Sequence, residues 1–499
     1  MININKKLFF RYAFIAAIFI HVIAAIYSVG YYYADEHYQL VEFAGYKLGT
    51  HAPNELAWEF AYRLRPSFQP ALCYCIIRTA QIAGIDDPFM QTLLLRLLSA
   101  GISLAAIVFF IKTFFEEFKS DRSQKMFIVL SFFLWFIPFT DVRFSSETWA
   151  GAFFITSICL LKKLQSGNWV LLKIFTTLII ACAVLVRYQM LMPLAFVAVW
   201  FLLSDRNRFA FITIGIGTIL SFAIGLAVDK WFYGEWTLPL YNYAHMVITG
   251  SGPDFGSEPW YYYFIVICTK SALPIGLLLL ISFIYFWLTS PKHLITCITL
   301  PFFLLHVLLP HKELRFLFPL VMLCPFVICY FIEKVQLQLN NANLILKKSF
   351  NALIIALMLL NFVLLTVVIF LPASPGIAIA ETIHKSFAAE KAILIHTPYS
   401  NPYSPFESVP VKFYVEKNVQ QIKVNNSSEL PDSVLTLKTN LLFSLRSDDY
   451  EINKDYLNAK NFRLIKYAIP GELIKWNNDI WYSATDNFVL LQRIDVDEK

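Results

Sequence analysis

The chain has 499 residues, of which 58% are hydrophobic and 17% aromatic, and only 15% carry charge. Soluble domains use about a quarter charged residues, so this composition excludes an ordinary soluble fold and directs the reading to the lipid bilayer. The formal net charge of +6 is too modest to indicate a nucleic-acid partner.

The first element is the run "KKLFFRYAFIAAIFIHVIAAIYSVG". Its basic start resembles a signal peptide. The run is long, however, contains Arg11 and His21, and lacks a small-residue cleavage site, so it reads as a retained spanning helix. A spanning helix needs about 20 mostly apolar residues. By that standard candidate spans fall at about 8–30, 90–114, 126–140, 148–161, 169–186, 189–203, 209–228, 262–288, 294–309, 317–333 and 349–371. Eleven spans put the two ends of this stretch on opposite sides.

Lys and Arg in short loops mark the cytoplasmic side. Lys6, Lys7, Arg11, Lys119, Arg122, Lys125, Lys162, Lys163, Arg206, Arg208, Lys292, Lys334, Lys347 and Lys348 all fall on one side of the eleven-span arrangement. The opposite side then receives a first outer loop at 31–89, a turn at 141–147, a second large loop at 229–261, the segment 310–316 and everything after 371. Apolar residues recur at helical spacing around 38–48 and 70–83, as in helices lying on the membrane surface. From 372 to 499 the pattern changes to short β-rich runs, among them "AILIHTPY", "VKFYVEK", "VLTLKTNLLFSL", "FRLIKYAI" and "FVLLQRIDV". These predict a small extramembrane domain, α/β or mainly β.

Several polar groups stand on the outer side. Asp35 and Glu36 follow the first span, where a partly desolvated carboxylate can act as general base. Arg143 lies in "DVRFSSETWAG" with Glu147 four residues on, and Arg187 stands between two apolar runs. Arginine near the membrane core usually faces a cavity or a partner. It grips phosphate through two parallel bonds in a way lysine cannot. The densest group is "PHKELRFLFP", with His311, Lys312, Glu313 and Arg315 between two hydrophobic runs. Three possible cations and one acid there make an anion site. Each of these groups also has a plainer reading as a solvated loop residue or an interfacial ion pair. No second His stands at metal-ligand spacing, and Cys73-x-Cys75 lacks a second pair, so no metal is expected. The distribution fits an anionic, lipid-linked substrate.

The stretch "HKELRFLFP" resembles the signature of the glycosyltransferase family 22 mannosyltransferases, through His311, Lys312, Glu313, Arg315, Phe316 and Pro319. Further matches follow the family's order: Asp35 and Glu36; Trp58, Glu59, Arg65 and Ser67; Arg143, Ser145 and Glu147; and Tyr233, Gly234, Gly256, Pro259, Trp260 and Tyr263. "IHTPYSNPYS" is similar to a stretch of the third GPI mannosyltransferase subgroup. The chain departs from the family at Arg187-Tyr188, where Arg-Pro is usual.

The resemblance implies a GT-C fold and a polyprenyl-phosphate sugar donor used on the non-cytoplasmic face, with no cofactor. Mannose is implied as the sugar, and a glycolipid or glycan is the expected acceptor. Asp35, with Glu36 second, would be the base of an inverting displacement. His311, Lys312, Glu313, Arg315, Arg143, Arg187, Glu147, Trp260 and Tyr263 would bind donor phosphate or substrate. Two alternatives remain: a related GT-C transferase using another lipid-linked sugar, and a lipid-linked sugar flippase or transporter. Compact loops without outer disulfide candidates favour a bacterial inner membrane over the endoplasmic reticulum.

Overall fold

The computed structural model describes residues 4–164, 170–203, 208–250, 256–339, 343–387, 389–404, 411–428, 430, 435, 439–477 and 485–494. Arg206 and part of the 229–261 loop lie outside these residues. The chain divides into two compact units: Met1–Ile26, Tyr62–Leu72 and Leu94–Phe370 form one, and Tyr27–Ala61, Cys73–Leu93 and Leu371–Lys499 form the other.

The first unit is helical, and among the described residues each of the eleven expected spans lies mainly on helix. Five helices are long and apolar enough to cross a membrane: Lys6–Tyr27, Pro88–Glu117, Arg208–Tyr233, Leu314–Leu339 and Leu344–Val368. A sixth is counted if Leu273–Thr289 and Leu294–Leu308, bent by 119° at their junction, are one span. The protein is thus an α-helical membrane protein with several spans. Val170–Val186 and Tyr188–Leu203 are apolar but shorter.

Two expected spans are interrupted, and proline accounts for both. The 126–140 stretch is two helices, Asp121–Phe133 and Phe136–Asp141. Pro138 has no N–H for the Leu134 carbonyl, so the ladder breaks there. Asn361 repairs the damage: its amide donates to the Phe133 carbonyl at 2.8 Å, and its oxygen accepts from the Trp135 N–H at 2.9 Å. Without water in hydrocarbon, such freed backbone groups need a partner from the protein. Likewise 262–288 breaks into Tyr262–Lys270 and Leu273–Thr289 ahead of Pro274.

One helix of this unit has a basic end and an opposite acidic end. In Ser146–Leu164, Glu147 stands in the first turn and Lys162 and Lys163 in the last. A helix of this length extends about 28 Å. Lys162 pairs with Glu117 at 3.1 Å, and His293, at the start of Leu294–Leu308, meets the same carboxylate at 2.9 Å. Glu333 accepts the Lys119 and Ser120 amides at 3.0 and 2.9 Å, and Lys6 reaches Gln124 at 2.6 Å. The basic loops are therefore tied to one another at one end of the unit.

At the other end, Ser146–Leu164 lies against the 3-10 segment Leu314–Leu323. Gly151 permits this approach: a Cβ there would stand 2.7 Å from the Pro319 carbonyl oxygen and 2.8 Å from its Cα. Glu147 precedes Gly151 by four residues, so both share the helix face turned to that segment.

In the second unit, Ala34–His37, a π-helical turn Tyr38–Glu42 and Phe43–Leu48 follow one another. The helix expected around 38–48 is present as this π-helical turn and short helix, but Gln39 and Glu42 are buried with the apolar residues, so it is not the exposed amphipathic helix expected. A helix Pro375–Phe387 precedes a five-stranded mixed sheet of order β2-β1-β3-β5-β4. β1 (Ala392–His396) pairs in parallel with β2 (Val419–Lys423) and β3 (Asn440–Arg446). β5 (Phe488–Arg493) runs antiparallel to β3 and to β4 (Phe462–Tyr467). Ile393, Ile395, Phe443, Leu445, Leu457 and Leu491 form the core beneath one face. Four expected runs contain a strand, but "VKFYVEK" is a 3-10 turn, Lys412–Tyr414. Its backbone is claimed by a side chain: the Phe413 N–H donates to Glu42 Oε1 at 3.1 Å. The strand falls instead on Val419–Lys423, whose exposed Gln and Lys residues suit an edge.

Candidate active site

The 3-10 segment begins directly after Glu313 and puts Arg315 beside the start of Ser146–Leu164. The Arg315 guanidinium grips both Glu313 oxygens, Nε to Oε2 at 2.6 Å and Nη2 to Oε1 at 2.9 Å. Its Nη1 lies 3.8 Å from Glu147 Oε1. Arg187, extended at the end of Val170–Val186, donates from Nη1 to the same Glu147 oxygen at 2.6 Å and to Ser146 Oγ at 2.8 Å. Its Nε bonds Gln189. His311 meets Glu313 Oε1 at 3.0 Å. One carboxylate therefore bridges two arginines, and the second holds an arginine and a histidine. Both guanidinium groups lie near the Phe316 ring, at 5.9 and 5.5 Å.

This constellation unites Arg187, Glu147, Arg315, Glu313 and His311, contributed by three separate segments. Carboxylates at these distances hold planar guanidinium groups in fixed orientations.

Lys312 has a different place from the one its charge suggests. It is 5% exposed and donates to the carbonyls of Leu309, Glu258 and Pro310 at 2.5, 2.7 and 3.4 Å. It clamps the 256–262 loop to the turn before Glu313. Tyr263 is fully buried, and its hydroxyl donates to the Glu313 carbonyl at 3.3 Å, so it supports the backbone of the cluster. Trp260 is 66% exposed and packs edge-on against Tyr261 and Phe264. Arg143 is buried over the Phe139 ring at 5.3 Å. Of the resemblance residues, Ser67 gives its amide and hydroxyl to Asp229 Oδ1 at 2.9 and 2.6 Å.

In the second unit Asp35 and Glu36 occupy the one-turn helix Ala34–His37. Glu36 is buried, and its Oε2 accepts the Tyr32 N–H at 3.1 Å. Asp35 is half-buried. Next to them lies a group that sequence reasoning missed. Glu42 receives His37 Nε2 at 2.6 Å, and its other oxygen pairs with His51. Burial alone would raise the Glu42 carboxyl, but the two imidazoles outweigh it and hold the group well below the ordinary carboxylate range. The signal was present in "YQLVEF", where a lone acid interrupts an apolar stretch. A buried charge is informative in a way that an exposed one is not. Among the described residues, no three His, Cys, Asp or Glu are gathered as metal ligands.

A profile of the Alg9-like mannosyltransferase family matches residues 12–414. The chain is 24% identical over 307 residues to the GPI alpha-1,2-mannosyltransferase 3 of Mus musculus, covering 58% of this chain and 53% of that protein. To the enzyme of the same name from Bos taurus it is 25% identical over 338 residues, 65% of this chain and 58% of that one. The chain thus spans little more than half the length of these relatives. Among solved structures, the crystal structure of ArnT from Cupriavidus metallidurans bound to undecaprenyl phosphate aligns over 97% of this chain and 98% of that one. The two are 11% identical, with a TM-score of 0.47.

Proposed function

Because the chain belongs to the Alg9-like mannosyltransferase family, we propose that it is an inverting glycosyltransferase of the GT-C type. In this reading it moves mannose from a polyprenyl phosphate to a glycolipid or glycan on the non-cytoplasmic face of the membrane. The observation that carries the reading is the pair of arginines bridged by Glu147, with Arg315 also gripped by Glu313.

As the glycosidic bond breaks, its electrons pass to the departing phosphate oxygen. Arg187 and Arg315 stabilise that charge, with His311 beside them. Their orientation is set beforehand by the carboxylates, so little reorganisation is needed during the reaction. Lys312 and Tyr263 act on the same cluster through the backbone that they hold. The acceptor hydroxyl attacks the anomeric carbon from the opposite side and passes its proton to Asp35. Glu36, which is buried where Asp35 is half-buried, is the second choice. One displacement inverts the anomeric carbon.

Membranes containing the protein, given polyprenyl phosphate carrying labelled mannose and an extract of acceptor glycolipids, should transfer label to the acceptor. A labelled glucose or pentose used in its place identifies the related transferase. Label that remains on polyprenyl phosphate and only changes leaflet sinks the transferase reading in favour of a transporter.

The proposal includes eleven crossings, cytoplasmic basic loops, a non-cytoplasmic 372–499 domain and a bacterial inner membrane. In a cysteine-free version, an impermeant maleimide added to intact cells should label Asn418→Cys and spare Lys119→Cys. Labelling at Lys119→Cys alone would reverse the orientation.

A further inference from the structure

We propose that Glu42 is the positioning residue for the Asp35–Glu36 turn, which it holds through His37; the inference rests on the reading of those acids as the base of sugar transfer. The Ala34–His37 helix has four residues and no side-chain cap at Tyr33. It is the first turn of a helical segment that continues through Tyr38–Glu42 and Phe43–Leu48, so the direction in which it presents its acids depends on how that segment is fixed. Its position must come from the residues around it.

His37 supplies the connection. It ends the turn, is 2% exposed, and its ring stacks on Tyr31 and on Tyr414, each at 5.3 Å between centroids. Stacking sets the plane of the ring but leaves it free to slide. The bond from Nε2 to Glu42 Oε1 removes that freedom. In a regular α-helix, residues five apart point in different directions. The π-helical turn Tyr38–Glu42 changes this spacing and brings residues 37 and 42 together.

Glu42 is itself held from two other directions. His51 pairs with its second oxygen, and the Thr50 hydroxyl lies 2.7 Å from His51 Nδ1. Gly45 leaves room for this ring, because a Cβ at that position would overlap it. The Phe413 N–H meets Oε1, and Lys412 next to it pairs with Glu55 at 2.6 Å. A carboxylate buried among these donors costs much to desolvate, and an apolar residue of similar size would often serve stability as well. What an apolar residue cannot do is hold two imidazoles at fixed directions.

The test is Glu42→Gln in the full-length protein, in membranes. Turnover should fall by about tenfold or more, the scale expected when reacting groups are displaced by a fraction of an ångström. The donor KM should stay within about twofold. Amide exchange across residues 31–38 should become faster, while exchange in β3 stays as in the parent. His37→Phe keeps the stack between Tyr31 and Tyr414 and loses only the bond. It should reproduce these effects, and it carries the test if Glu42→Gln does not fold. His51→Leu should also lose turnover, and His51→Gln, which keeps a donor, should recover most of it. Unchanged exchange at 31–38, equally faster exchange in β3, or turnover within about threefold of the parent would overturn the inference. Exchange needs no substrate, so it reads the placement even if the parent transfers no sugar and the functional reading fails.

Discussion

Asp35→Asn is expected to lower sugar transfer by about 100-fold or more, the scale of a lost general base, with the amount of membrane-inserted protein unchanged. Asparagine keeps the shape of the side chain and removes its ability to accept a proton. Asp35 is favoured over Glu36 because it is half-buried, within reach of an acceptor, whereas Glu36 is buried. Transfer from labelled polyprenyl-phosphate mannose, measured at saturating donor and acceptor, checks the expectation. If Glu36→Gln is the inactive variant and Asp35→Asn is active, the two roles are exchanged. Full activity in both variants removes the pair from the chemistry.

Arg315→Lys is expected to reduce turnover by about 100-fold, nearly as far as Arg315→Ala, in the range found when one donor to a developing oxyanion is removed. The structure gives the reason. Two nitrogens of Arg315 meet the two oxygens of Glu313, at 2.6 and 2.9 Å, while Nη1 is directed to Glu147. Lysine keeps the charge but is a point donor on a flexible stem and cannot reproduce the fork. Glu313 would lose its grip, and His311, on the same carboxylate, would shift with it. The loss should be larger in turnover than in donor affinity, because phosphate charge is greatest as the bond breaks. A folded Arg315→Lys protein with near-normal turnover and donor affinity would return the cluster to a structural ion-pair network.

The membrane helices were legible because apolar runs of this length are rarely tolerated in contact with water. Their interruptions were legible in principle: Pro138 and Pro274 each deny an N–H to the carbonyl four residues earlier. The repair by Asn361 was not, because nothing in local spacing connects residue 361 with residues 133 and 135. The polar cluster at 311–315 stood out against its surroundings. Its arrangement did not, because the bridging carboxylate Glu147 is 40 residues from Arg187, and a pairing at that distance leaves no periodic trace. Charge alone also gave no sign that Lys312 serves three backbone carbonyls. At 411–417 the alternation of Val, Phe and Val imitates a strand, yet Phe413 gives its amide to a carboxylate and Tyr414 stacks on a histidine ring. Glu42 was absorbed into a helical stripe because a period of 3.6 does not describe a π-helical turn.

The link between Glu42 and Phe413 also has a consequence in time. The two residues are 371 positions apart. A ribosome adding about 5–20 residues per second leaves them separated for roughly 20–70 s. Closing so long a loop costs little more entropy than closing one half as long, because the cost grows only with the logarithm of length. The delay is therefore set by synthesis more than by search. β5 lies between β3 and β4, so the sheet is also incomplete until its last-made strand arrives. Throughout that interval the newborn acid turn has His37, Glu42 and His51 from its own neighbourhood but no Tyr414 to stack on, so its surroundings are finished only once residue 414 has been made.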